Sequence, residues 1–153
     1  MNNLQDMEHF LEFRKAVYTD IPALQILYQQ LIPEVKTDPE KMAETLTRVM
    51  DTDNNHIVIG LLRGRVIATC QIVIYENLIR TPRRKAVIDS VVVEEYYRGV
   101  GIGTAMMEWA IQLIKEKGCS HIGVASRFSR TVAHYFYQKL KFEKFGYYYL
   151  FRI

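Results

Sequence analysis

A chain of 153 residues that is 49% hydrophobic and 24% charged is long enough for one domain with a sizeable core, and it has the balance of a water-soluble globular protein. Its net charge of +3 comes from scattered Lys and Arg, which excludes a nucleic-acid-binding tail and suits an anionic small ligand. Cys70 and Cys119 make no disulfide framework, no apolar run is long enough to span a bilayer, and the N-terminus lacks a signal-peptide pattern, so a cytoplasmic protein without membrane or nucleic-acid partners is expected.

In chain order, Leu11 to Val17 alternates loosely and reads as a strand after a ten-residue N-terminal extension, 1–10. Asp20-Ile21-Pro22 starts a helix, with Asp20 as its cap and Ala23, Leu24, Ile26, Leu27 and Leu31 as its apolar face up to Pro33. Thr37-Asp38-Pro39-Glu40 opens a second helix running towards Asp51, and Asp53-Asn54-Asn55 is a turn. His56 to Leu62 and Val66 to Tyr75 are strands joined by a hairpin at Arg63-Gly64. Cys70 falls in this apolar pattern and reads as core. The basic run Arg83-Arg84-Lys85, beside Pro82, reads as a solvated turn, with ligand contact as the minority alternative. Lys85 to Glu94 is a further strand.

The next helix shows the clearest periodicity: Ile102, Ala105, Met106, Trp109, Ala110, Leu113 and Ile114 form a core-facing stripe, closed by Lys117-Gly118. His121 to Ala125 reads as a short strand, Ser129 to Leu140 as a helix and Gly146 to Arg152 as a final Tyr-rich strand. The order β-α-α-β-β-β-α-β-α-β is a mixed α/β arrangement, with antiparallel strands first, and excludes a doubly wound sheet.

Arg98-Gly99-Val100-Gly101-Ile102-Gly103 joins the Val91-Val92-Val93 strand to that periodic helix. Glycines let backbone approach a ligand closely, and the first N–H groups of a helix lack intrahelical partners, so such a turn suits phosphate. Arg98 can fork onto the same anion. A Walker loop is excluded because Thr104-Ala105, not Lys-Ser/Thr, follows the last glycine. The dinucleotide fingerprint fails as well, since Thr104 or Met106 stands where its third glycine belongs. Taken alone, the segment is equally compatible with a plain tight turn.

A second segment, Ala133-His134-Tyr135-Phe136-Tyr137-Gln138-Lys139-Leu140-Lys141-Phe142, follows about thirty residues later. Together the two resemble the GNAT superfamily of acetyl-CoA-dependent N-acetyltransferases, from Leu11 to the C-terminus. Arg98, Gly101 and Gly103 match the family's Arg/Gln-x-x-Gly-x-Gly/Ala, and the later segment resembles Ala-x-x-Phe-Tyr-x-Lys-x-Gly-Phe. Two departures stand out: Glu95 where proline is frequent, and Lys141 where glycine is usual. The resemblance implies one N-acetyltransferase domain over 1–153. It implies a mostly antiparallel sheet with helices on both faces, splayed between the strands at Val91 and Val124 to leave a cofactor slot. Acetyl-CoA would bind with its pantetheine arm along Val91, Val92 and Val93. Its pyrophosphate would meet the amides of Arg98, Gly99, Val100, Gly101, Ile102, Gly103 and Thr104.

Acyl transfer from a thioester to an amine requires a neutral amine, a donor for the oxyanion and a proton for the departing thiolate. The resemblance assigns that last task to Tyr137, with a packed helix tyrosine as the alternative. Asp89, on the strand entering the loop, could accept the amine's proton or make only a structural hydrogen bond. Glu76, Glu94 and Glu95 read as solvated, and His134 as helix-terminal packing. Arg130 could meet a CoA phosphate or an acidic substrate, or simply be solvated. No residues have metal-ligand spacing, so no metal is expected. The expected reaction is acetylation of a small-molecule primary amine by direct attack in a ternary complex. The alternatives are acetylation of protein lysines or N-termini and a non-catalytic acetyl-CoA sensor. The family often dimerises, which leaves a homodimer open, and the acceptor pocket is expected from the first two helices, the Glu76 to Pro82 turn and the C-terminus.

Overall fold

The computed structural model describes residues 7–79 and 83–153, with the backbone alone at Arg83. The start of the expected N-terminal extension and the 80–82 part of the expected Glu76 to Pro82 turn lie outside the described residues. The chain divides into two compact units, the first ending at Gly123 and the second running from Val124 to Ile153.

In the first unit the elements are β1 (Leu11–Lys15), α1 (Ile21–Leu31), α2 (Pro39–Met50), β2 (Asn55–Leu62), β3 (Arg65–Asn77), β4 (Arg83–Val93), α3 (Ile102–Glu116) and β5 (Cys119–Val124), the last reaching the boundary. The sheet order is β1-β2-β3-β4-β5, with β1 to β4 antiparallel in succession. Arg63 and Gly64 both have positive φ, 51° and 78°, and link the paired residues Leu62 and Arg65. That is the primed two-residue turn whose twist matches the flanking strands. Arg83-Arg84-Lys85 belongs to β4 and is not a solvated turn: the Arg84 Nε donates to Glu76 Oε1 across the β3–β4 ladder at 2.7 Å.

Strand alternation explains why helices cover both faces. Ile59 and Leu61 of β2 pack with Ile21 and Leu24 of α1 and Leu46 of α2. Phe13, paired with Gly60 and so on the opposite face, lies 6.2 Å (between ring centroids) from Trp109 of α3. A Cβ at Gly60 would meet the Phe13 ring at 3.0 Å, which is why glycine stands there. Of the expected stripe on α3, Ile102, Met106, Ala110 and Ile114 are buried and Ala105, Trp109 and Leu113 half-buried, while Met107, not expected there, is buried as well. On α1, Ile26 is exposed, contrary to the expected apolar face; Ile21, Leu24 and Leu27 face inward. Cys70 is fully buried, which pushes its thiol up to about 12 and leaves it inert.

Asp20 does not cap α1 with its side chain. Its carboxylate instead accepts from Arg14 at 2.7 and 3.0 Å and from the Val17 N–H at 2.8 Å. Asp38 does cap α2, accepting the Glu40 and Lys41 N–H groups.

His56 is 2% exposed, and its Nε2 has no hydrogen-bond partner among the described residues. Burial lowers its pKa below the ordinary 6.5, helped by Lys15 of β1 and Lys117 beyond α3, against a smaller raising effect from Asp53. The unfolded chain therefore binds this proton first as pH falls. The contribution of neutral His56 is complete above 6.5 and is lost progressively below it, towards the lowered folded value. Urea midpoints measured from pH 7.5 down to 5 are expected to fall, and His56→Gln to flatten that slope.

In the second unit, α4 (Thr131–Lys139) ends in a complete Schellman motif. The Phe142 N–H donates to the Tyr137 carbonyl at 3.0 Å, the Lys141 N–H to the Gln138 carbonyl at 2.9 Å, and the Phe142 and Tyr137 rings meet at 5.9 Å. Lys141 takes the left-handed position with φ 66°, so lysine does the work usually given to glycine. A left-handed residue with a Cβ costs about 1 kcal/mol or more relative to glycine. Lys141→Gly is expected to raise stability by roughly that amount in urea denaturation.

No strand forms over Gly146 to Arg152, contrary to expectation. Tyr147, Tyr148, Tyr149 and Phe151 are exposed, and β propensity makes a strand only where a neighbouring strand supplies ladder partners.

Candidate active site

The register of β3 against β4 changes at one place. Thr69 pairs with Val92 and Gln71 with Asp89, so Cys70 alone faces both Ser90 and Val91. This is a β-bulge, and Ser90 takes φ 51° to make it. Asp89 holds the bulge by accepting the Ser90 N–H on Oδ1 at 2.6 Å. Asp89 thus makes a structural hydrogen bond, the alternative weighed for it, and the residue is exposed beside the bulge.

Beyond the bulge Val92 is buried and Val91 and Val93 are half-buried. The Val93 carbonyl accepts Arg98 Nε at 2.8 Å. The chain then passes through a short 3-10 turn, Glu95–Tyr97, into the glycines. Gly99 and Gly101 have φ of 79° and 101°, a region where side chains rarely sit. Gly101 is the N-cap of α3, and its carbonyl accepts the Ala105 N–H at 3.0 Å. The amides of Ile102, Gly103 and Thr104 in the first turn therefore have no intrahelical acceptor. A Cβ at Gly99 would meet nothing within 4 Å, so the loop's outer side is open. Free amides at the positive end of a helix, with an exposed arginine beside them, fit a pyrophosphate.

Glu94 is buried, not solvated: it pairs with Arg65 at 2.6 Å. Glu95 is exposed, and Glu76 is engaged with Arg84. Among the described residues no group of three His, Cys, Asp or Glu could hold a metal ion.

Sequence reasoning missed two residues of α1. The Tyr28 phenol is hydrogen-bonded to Thr69 beside the bulge. The Thr69 hydroxyl donates to the Val58 carbonyl at 2.7 Å. Burial raises the Tyr28 pKa above the ordinary 10, against a smaller lowering effect from the Thr69 contact, and the neighbouring Cys70 and Asp89 raise it further. Gln30 accepts the Glu95 N–H on Oε1 at 3.0 Å. The available signal was a tyrosine set in an otherwise aliphatic stripe.

The second unit carries Tyr137 and Arg130. Tyr137 is half-buried, 5.3 Å from the Phe136 ring centroid. Arg130 is the N-cap of α4, and its N–H donates to the Arg127 carbonyl at 3.0 Å. His134 bonds that same carbonyl through Nε2 at 2.8 Å, the helix-terminal packing expected of it. The expected site residues thus form one strand–loop–helix run in the first unit, from Asp89 to Thr104, and one helix in the second.

The acetyltransferase (GNAT) family profile matches residues 22–142, and the chain belongs to that family of acyltransferases. Similar solved structures include a protein of Agrobacterium tumefaciens strain C58 provisionally assigned as an acetyltransferase, 25% identical, with a TM-score of 0.86 over 93% of this chain and 99% of that one. Glucosamine-6-phosphate N-acetyltransferase of Arabidopsis thaliana is 20% identical, with a TM-score of 0.81 over 93% and 97%. An aminoglycoside N-acetyltransferase solved with CoA is 16% identical, with a TM-score of 0.77 over 94% of each chain. Below 25% identity these likenesses concern the fold. No curated protein gave a significant match.

Proposed function

We propose that the protein is an acetyl-CoA-dependent N-acetyltransferase acting on a primary amine of a small molecule. The observation that carries this reading is the bulged strand leading through Gly99 and Gly101, both at positive φ, into the uncapped start of α3. Family membership and a neighbour bound to CoA support the choice of cofactor.

In this reading Val91 to Val93 line the pantetheine arm, and the amides from Arg98 to Thr104 hold the pyrophosphate. The β4–β5 edge opens as the cofactor slot. Asp89, exposed at the bulge, receives a proton from the acceptor's ammonium or holds it in place. Tyr137 supplies the proton to the departing thiolate. A phenol of pKa near ~10 is a matched donor to a thiolate of pKa near ~8.5. Arg130 meets a CoA phosphate or an acidic group of the acceptor. The chain works as one catalytic domain in the cytoplasm without a metal, and a homodimer fits the family.

The test is thiol release from acetyl-CoA against aminosugars and their phosphates, aminophosphonates, polyamines, amino acids and lysine peptides. Release with one small-amine class supports the proposal. Release with lysine peptides alone redirects it to protein acetylation, and CoA binding without release on any amine to a sensor.

A further inference from the structure

The loop that starts α3 is tethered from outside its own motif. Gln30 lies in the last turn of α1, and its Oε1 accepts the Glu95 N–H at 3.0 Å and Arg98 Nη2 at 3.4 Å. The same guanidinium donates through Nε to the Val93 carbonyl at 2.8 Å. One amide oxygen therefore pins both ends of the Glu95–Arg98 turn, the segment that carries the chain from β4 into the glycines. The stronger of its two bonds requires an N–H at residue 95, which a proline would lack.

We propose that Gln30 is a positioning residue for cofactor binding: it sets the Glu95–Arg98 turn so that the amides beyond it are aligned before the ligand arrives. The inference rests on the cofactor reading above. Gly99 and Gly101 lose more conformational freedom on ordering than any other residue type, and Gly99 has no packing neighbour where a side chain would sit. Side-chain tethers at the turn therefore carry the ordering of this loop, and a loop ordered in advance binds more tightly. Because α1 also carries Tyr28, in contact with Thr69 of β3 next to the bulge, a single helix reaches both the neighbourhood of the bulge and the turn before the loop.

The experiment is calorimetric titration of the full chain with CoA, for the wild type, Gln30→Met, Gln30→Glu and Glu95→Pro, with thermal midpoints recorded alongside. Methionine keeps length and helix propensity but removes the acceptor; glutamate keeps an acceptor oxygen. Proline at 95 removes the donor, and Glu94, at φ −50° and ψ 135°, already has the backbone a residue before proline prefers. Gln30→Met and Glu95→Pro are each expected to weaken CoA binding about tenfold, a loss of the size one good hydrogen bond supplies. The double variant Gln30→Met/Glu95→Pro, titrated alongside, should be no worse than Gln30→Met alone, because methionine at 30 already removes the bond that proline at 95 removes. Gln30→Glu should stay within about threefold of wild type, with midpoints unmoved. Unchanged CoA affinity in Gln30→Met or in Glu95→Pro overturns the inference, as does equal weakening by Met and Glu. A wild type that does not bind CoA overturns the cofactor reading itself, so the two failures are separable.

Discussion

Tyr137→Phe is expected to lower kcat by about a hundredfold or more while leaving the dissociation constant for CoA within about twofold. The variant removes one oxygen and keeps the ring, so the contacts to Phe136 and Phe142 that close α4 survive. The backbone part of the Schellman motif does not depend on the hydroxyl, since the bond from Phe142 ends on the Tyr137 carbonyl. A thermal midpoint recorded for the same variant separates any loss of stability from loss of turnover. Loss of a proton donor to the thiolate should act on turnover alone, because the proton is needed only as the carbon–sulfur bond breaks. Steady-state kinetics with the acceptor found by the amine panel, paired with calorimetry, read both quantities. Equal turnover in the variant would reassign Tyr137 to packing, the alternative weighed from the sequence.

The second large effect is expected at Gly101. Gly101→Val places a β-branched side chain at φ 101°, a backbone region that such residues do not adopt without strain. The cost of a left-handed conformation with a Cβ is about 1–2 kcal/mol, so the fold should persist with a lowered midpoint. Function should suffer more than stability. The residue is the N-cap of α3, immediately before the free amides, and relief of strain there turns those amides away from their common target. CoA affinity is expected to fall by about a hundredfold or more, read by calorimetry against a thermal scan of the same samples. A stable Gly101→Val variant that binds CoA like the wild type would place the pyrophosphate elsewhere.

The strand–loop–helix was legible because each of its parts is local. A Val run, glycines that only a tight turn needs, and a helical stripe ending in Lys117-Gly118 each announce themselves within a few residues. The Arg63-Gly64 hairpin and the helix start at Thr37-Asp38-Pro39-Glu40 are local in the same sense, and both stand as expected. Asp20 shows where such reasoning stops. Its type and position suit a cap, but Arg14 and the Val17 amide compete for the same oxygens and win. Glu94 reads as solvated until Arg65, 29 positions away, covers it. The Tyr-rich C-terminus has strand propensity throughout and forms no strand, because pairing is a property of two segments and not of one. Gln30 was invisible for the same reason: its partner at Glu95 is 65 residues away, and nothing in the spacing of a helical glutamine points to it. At the site, the bulge likewise depends on a partner strand. Val91-Val92-Val93 reads as a regular strand, and the extra residue appears only once β3 supplies the register.

The most direct measurement is thiol release from acetyl-CoA in the presence of the amine panel, run beside a CoA titration of the same protein. Release well above slow hydrolysis with one class of small amine, together with saturable CoA binding, is the expected result. Absence of both release and binding would contradict the assignment of the Gly99–Gly103 loop as the cofactor's phosphate site, and with it the central claim.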